Sequence, residues 1–162
     1  MQWCKLFLRV YNLAMELFIP CIPKPKGRPR FTRKGHAYTP QATRDAENEI
    51  ATYVRLNVNG SPLEGALRVD LEIMLPVPTS WGDKKYGQAV TCQIWPAKRP
   101  DVDNIAKGCL DALNGILWHD DSQIVQLNIT KRYSDVTGYN LRVSRPVYSR
   151  VIPLTRINTC ET

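Results

Sequence analysis

Residues 99–121, RPDVDNIAKGCLDALNGILWHDD, constrain this chain most, because they put acids at both ends of one short amphipathic helix. Asp101 and Asp103 stand two residues apart at its start, and Asp120 and Asp121 follow its end. Carboxylates brought together repel each other, and a hard divalent cation between them relieves the repulsion. Oxygen donors of this kind favour Mg²⁺ or Mn²⁺ over Zn²⁺. Pro100 disfavours helix at Arg99, so Asp103 is read as the N-cap and Asn104 as the first helical residue. Ile105, Cys109, Ala112, Leu113 and Ile116 then form the buried stripe, while Asn104, Lys107 and Asp111 share another face. Asn114-Gly115 is a stop signal. A turn there lets Asp120 or Asp121 come back to the helix start, so that one chain assembles the acidic site. The plainer alternative makes Asp103 a cap, Asp101 a solvated loop residue and Asp120-Asp121 an ordinary turn.

The rest of the composition narrows the setting. A length of 162 residues is one domain with room for a hydrophobic core. A formal charge of +7 suits a polyanionic partner, although charge alone does not choose one. The five cysteines are scattered without a C-x-x-C, and there are two histidines, so a zinc site or disulfide framework is not expected. Free thiols in a reducing cytoplasm are the simpler account. No apolar run reaches the 18 or so residues of a membrane span, so no membrane partner is expected.

Along the chain, residues 1–14 read as an N-terminal extension, with Trp3, Leu6, Phe7 and Val10 at helical spacing. Residues 17–22 read as a first strand. Residues 24–34 form an extended basic arm, kept from helix by Pro23, Pro25 and Pro29. Its Lys24, Lys26, Arg28, Arg30, Arg33 and Lys34 are candidate phosphate contacts. A hairpin with its tip at Lys34-Gly35 joins Phe31 to Tyr38. A helix follows over 40–56, with Thr39 as N-cap and Ala42, Ala46, Ile50, Tyr53 and Val54 facing inward. Residues 67–75 alternate cleanly as a strand, leaving Asp70 and Glu72 on the wet face. Residues 76–88 read as a loop in which Trp81 either stacks on unpaired bases, with Lys84 and Lys85 on phosphates, or anchors the loop in the core. Residues 89–95 read as a short strand. Strands over 124–133 and 139–143 follow, joined by a turn at 135–138, and residues 146–162 read as a tail.

Two lysines compete for a role at the acidic site. Lys131 lies ten residues beyond Asp121, about 30 Å along a strand, so it is read as a structural or DNA contact. Lys107 is the candidate for the site, although one-turn spacing to Asp111 also allows an ion pair worth a few tenths of a kcal/mol, about 0.3.

The string PDVDNIAKGCLDALNG, followed by ILWHDDSQIV and by Lys131-Arg132-Tyr133, resembles the RusA family of Holliday-junction resolvases of bacteria and their phages. The resemblance reaches back to KPKGRPRFT at 24–32, AYTP at 37–40 and SW…KK at 80–85, and so covers roughly residues 15–145 as one nuclease domain. It implies catalytic, metal-holding aspartates at Asp101, Asp103 and Asp121 and an active-site lysine at Lys107. Asp120 and Asn104 are expected beside these ligands without touching the metal. It further implies a homodimeric, Mg²⁺- or Mn²⁺-dependent endodeoxyribonuclease that cuts two strands of a four-way DNA junction. The setting that the resemblance implies is recombination and repair in a bacterial cytoplasm, host- or phage-encoded.

The fold expected is α+β, a mixed sheet of four to five strands with two main helices packed on it. The chemistry expected is metal-assisted phosphodiester hydrolysis, with Lys107 on the developing charge. A restriction-like P-D…[DE]-x-K site fails because position 129, two before Lys131, is Ile. A non-catalytic basic DNA-binding module, or a structural protein whose basic face meets a protein, are the other readings.

Overall fold

The computed structural model describes residues 15–146. The extension at 1–14 and the tail from residue 147 on lie outside the described residues. In chain order the elements are β1 (Met15–Ile19), β2 (Arg30–Phe31), β3 (Ala37–Tyr38), α1 (Gln41–Asn57), β4 (Leu67–Pro76), α2 (Asp83–Val90), α3 (Val102–Leu113), β5 (Ile124–Ser134) and β6 (Gly138–Ser144). A single 3-10 turn, Asp121–Gln123, precedes β5. Four strands form one mixed sheet in the order β1-β6-β4-β5, with β5 parallel to β4 and the other pairs antiparallel. β2 and β3 form a separate two-stranded ribbon. This is the expected α+β class.

Strand alternation explains the core. Leu67, Val69, Leu71 and Ile73 of β4 are buried, as are Tyr139, Leu141 and Val143 of β6 and Leu17 and Ile19 of β1. Ile50 and Val54 of α1 and Ile105, Cys109 and Leu113 of α3 close over this face. Removing each such side chain from water contributes about 1.5–3 kcal/mol. The opposite face is polar. Arg68 pairs with Asp70 at 3.0 Å, Arg132 with Glu72 at 2.6 Å and Arg142 with Glu16 at 3.5 Å. Asp70 and Glu72 are therefore wet-face residues.

Several boundaries differ from the sequence-based expectation. β1 stops at Ile19, because Pro20 follows. α1 starts at Gln41 with Pro40 in the cap position and no side-chain cap from Thr39, and Ala42 faces solvent. Residues 83–90 are helix rather than loop, and no strand forms over 89–95. Eight residues are too few to hold a helix alone, so α2 depends on packing against β5. Asp101, not Asp103, is the N-cap residue of α3, and Val102 is its first helical residue.

Candidate functional site

α3 is buried on most of its circumference, and its exceptions are the residues of interest. Ile105, Ala106, Gly108, Cys109, Leu110, Ala112 and Leu113 are buried, whereas Asp101, Asp103 and Lys107 are exposed. The Asp101 carbonyl accepts the first helical bond from Ile105 N–H at 3.2 Å. Two carboxylates at this N-terminus also suit the positive end of the helix dipole. The loop before them is fastened from below. Lys131 is paired in register with Ile73, on the helix-covered face of β5. Its Nζ donates to the Pro100 carbonyl at 2.8 Å and the Lys98 carbonyl at 3.0 Å. An open cleft of about 720 Å³ lies beside the loop, lined by Pro25, Arg28, Arg99, Pro100, Asp101 and Asn104. Asp111 is occupied by Lys26, so the Lys107–Asp111 pair does not form. Among the described residues, Asp101, Asp103, Lys107 and Asp121 make no ion pair.

Asp121 is elsewhere. Asp120 caps the 3-10 turn by accepting Ser122 N–H at 2.9 Å, which holds its carboxyl below the ordinary range. Gln123 completes a capping box: its Oε1 accepts His119 N–H at 2.7 Å and Asp120 N–H at 3.2 Å. Its Nε2 donates to the Leu63 and Gly65 carbonyls. These bonds feed the chain straight into β5 instead of turning it back along α3. Twelve helical residues are about 18 Å long, and the seven steps from Ile124 to Lys131 are about 23 Å. Asp121 therefore sits at the opposite end of α3 from Asp101 and Asp103. The expectation that one chain returns Asp120 or Asp121 to the helix start is overturned. Among the described residues, no group of three or more His, Cys, Asp or Glu side chains is placed to hold a metal ion. Asp101 and Asp103, exposed oxygen donors two residues apart, fit part of a ligand set for a hard cation.

A family model described as Endodeoxyribonuclease RusA matches residues 20–144, a span that contains both acidic groups, Lys107 and the cleft. The chain belongs to the RusA endodeoxyribonuclease family. A Bacillus subtilis (strain 168) relative named "Uncharacterized protein YqaN" is 33% identical over 118 residues, covering 70% of this chain and 83% of that protein. RusA membership makes the chain, in general terms, an endodeoxyribonuclease of the Holliday-junction resolvase kind, a class that acts on branched DNA and generally needs a divalent metal. No described helix is long and apolar enough to cross a membrane.

In this RusA chain the basic arm is fixed rather than loose. The Lys24 backbone bonds to the buried Tyr139 hydroxyl. Lys26 N–H donates to the Asn104 carbonyl at 3.2 Å, and Gly27 N–H to Thr43 Oγ1 at 3.0 Å. A Cβ on Gly27 would stand 2.6 Å from that hydroxyl, so the close approach requires glycine. The Lys26 ammonium, 24% exposed, bridges Glu47 of α1 at 2.9 Å and Asp111 of α3. Burial lowers its pKa, but the hydrogen bonds to Asp111 and Glu47 outweigh that and raise it. Lys26, a candidate phosphate contact, thus has two acidic partners within the fold. Lys24 stands 4.0 Å from Glu49, and Arg28, Arg30, Arg33 and Lys34 are exposed. On α2, Lys84 is exposed and Lys85 Nζ lies 3.9 Å above the Trp81 ring, which meets Tyr133 edge-on. Trp81 is the loop anchor, not a free stacking platform.

The fold also positions Gln123 and Arg99, to which the sequence reading gave no role, whereas Asn104 was already expected beside the acidic pair. Gln123 was legible as the last residue of a D-x-x-Q capping box. Arg99 shares the cleft with Asp101 only because the fold closes the arm over the loop. Asn104 lines that cleft and anchors the arm through its carbonyl. Asp120, next to the candidate ligand Asp121, serves as the cap of the 3-10 turn. Cys21, Cys92 and Cys109 are free thiols, and burial pushes Cys109 up to about 12.

Proposed function

We propose that this RusA chain is a divalent-metal-dependent, structure-selective endodeoxyribonuclease that hydrolyses one phosphodiester in each of two strands of a four-way junction, as a homodimer acting in recombination and repair. The observation that carries the reading is the cleft in which Arg28 and Arg99 face Asp101. A scissile phosphate needs cations for its oxygens and carboxylates that hold a hard metal beside it; this cleft offers Arg28, Arg99 and the Asp101 carboxylate, with Asp103 two residues on. Asp101 and Asp103 hold the ion, Mg²⁺ or Mn²⁺, and Arg28 and Arg99 orient the phosphate. When bound, such an ion lowers the pKa of a water and offsets charge on the phosphate. Lys107, exposed one turn beyond Asp103, neutralises charge on the leaving oxygen.

Asp121 is the third carboxylate, and a two-fold partner accounts for its distance. β5 ends the sheet, with Val125 57% and Leu127 43% exposed. Antiparallel pairing of β5 with a second copy sets the start of one strand against the end of the other. Asp121 of one protomer then approaches the Asp101 loop held by Lys131 in the other. Such a dimer has two composite sites, one for each cut.

The test is cleavage of a labelled four-way junction in Mg²⁺ beside a linear duplex of the same sequence. Paired symmetric nicks in the junction alone are expected, abolished in Asp103→Asn while binding survives. A folded wild type that binds the junction and never cuts it in Mg²⁺ or Mn²⁺ returns the chain to the non-catalytic DNA-binding module.

A further inference from the structure

We infer that Phe31, displayed on the β2–β3 ribbon, is a base-stacking residue that selects the unstacked base faces at an open DNA branch point. The inference rests on the nuclease reading and names the feature of the substrate that the arm recognises.

Phe31 is 73% exposed, a degree of exposure that leaves its ring almost wholly in water. The ribbon register explains why. Phe31 pairs with Ala37, and Arg30 pairs with Tyr38, so the residue across from Phe31 on its own face is a methyl group that covers nothing. The ribbon itself is ordered by short bonds. Thr32 N–H donates to the His36 carbonyl at 2.9 Å, Gly35 N–H to the Thr32 carbonyl at 2.9 Å, and His36 N–H to Thr32 Oγ1 at 3.1 Å. Gly35, at φ +79°, supplies the left-handed residue that this tip needs.

A single exposed ring needs no explanation on most surfaces. Here two further facts give it one. Arg30, Arg33 and Lys34 flank it along the ribbon and are exposed, the combination of cations and an aromatic face that tracks a phosphate backbone and stacks on a base. The arm that carries it is clamped by Lys26, Gly27 and Asn104, with Arg28 in the cleft beside Asp101. Phe31 is three residues beyond Arg28, about 10 Å of extended chain. That is about three base steps along a strand whose phosphate stands in the cleft. In an intact duplex the bases at that distance are stacked on each other and offer no free face. At a four-way junction held open, the base pairs at the crossover lose a stacking neighbour and offer a free face.

The experiment uses the full chain and a four-way junction carrying 2-aminopurine at the crossover, bound in the presence of EDTA so that no cutting intervenes. Wild type and Phe31→Tyr are expected to raise the fluorescence as the base leaves its stack. Phe31→Ala is expected to lose that rise and about tenfold of the junction-over-duplex preference, while its duplex affinity and salt dependence stay unchanged. Arg33→Gln, in contrast, weakens both DNAs and flattens the salt dependence. Absence of the rise with wild type, or its persistence in Phe31→Ala, overturns the inference. Wild-type cleavage in Mg²⁺ is scored separately, so loss of the nuclease reading is seen independently of base stacking.

Discussion

Lys131 Nζ and the Pro100 carbonyl oxygen are 2.8 Å apart, joining the middle of an edge strand to the residue immediately before Asp101. With the second bond to the Lys98 carbonyl, one ammonium sets the height of the acidic loop above the sheet. Lys131→Met keeps the stem and removes both bonds. We expect a loss of about 1–3 kcal/mol in urea unfolding and a fall in junction cleavage larger than the fall in junction binding. Equal loss of both would mean that Lys131 meets DNA instead.

Asp101 and Asp121 occupy opposite ends of α3, which makes subunit mixing decisive. Asp103→Asn and Asp121→Asn are each expected to be inactive alone. Mixed and re-equilibrated, they are expected to form a heterodimer with one intact composite site, seen as single nicks without paired cuts. A site built within one chain predicts no recovery in the mixture.

Lys26→Met leaves Glu47 and Asp111 facing each other without their shared cation. We expect about 1–3 kcal/mol of destabilisation and weaker binding of junction and duplex alike, because the arm loses its clamp. The raised pKa fixes the sign with pH. The Lys26 contribution is complete below the ordinary lysine value of about 10.4 and is lost as pH rises through the folded value. The wild-type advantage over Lys26→Met in thermal melts should therefore shrink only at strongly alkaline pH.

Asp70 gives the opposite sign. The Arg68 guanidinium holds its carboxyl below the usual range, against a smaller opposing effect of burial and with help from Asn128. A depressed carboxylate stabilises above the unfolded value of about 3.9 and loses that effect as pH falls through the folded value. The pair is partly exposed, so its worth is about 0–1 kcal/mol. Asp70→Asn is expected to lower the melting temperature slightly at pH 7 and to match wild type near pH 2.

Gln123→Leu removes four hydrogen bonds that shape the turn carrying Asp121. We expect about 2 kcal/mol of destabilisation and impaired cleavage, with Asp101 and Asp103 unaffected. Restored activity at raised protein concentration would identify the defect as one of assembly rather than chemistry.

Periodicity and local chemistry determined much of this protein. The alternation from Leu67 to Leu75, the apolar stripe of α3 and the turn signal at Asn114-Gly115 are local patterns, and the corresponding elements formed because backbone geometry enforces periods of 2 and 3.6. The D-x-D string and the downstream Asp120-Asp121 pair identified the candidate acids from residue type and spacing. Tertiary structure decided the rest. α2 exists through packing on β5, which no eight-residue window reveals. Lys26 reads as one cation among six in the arm, but two acids from α1 and α3 converge on it across the fold. Lys131 lies too far along β5 to meet Asp121, yet β5 runs parallel to β4 and carries it under the Asp101 loop. The same strand direction separates Asp121 from Asp101, because the capping box at Asp120 and Gln123 sends the chain into β5 at the far end of α3. Sequence spacing states which residues are close along the chain, whereas strand order and direction set which are close in space.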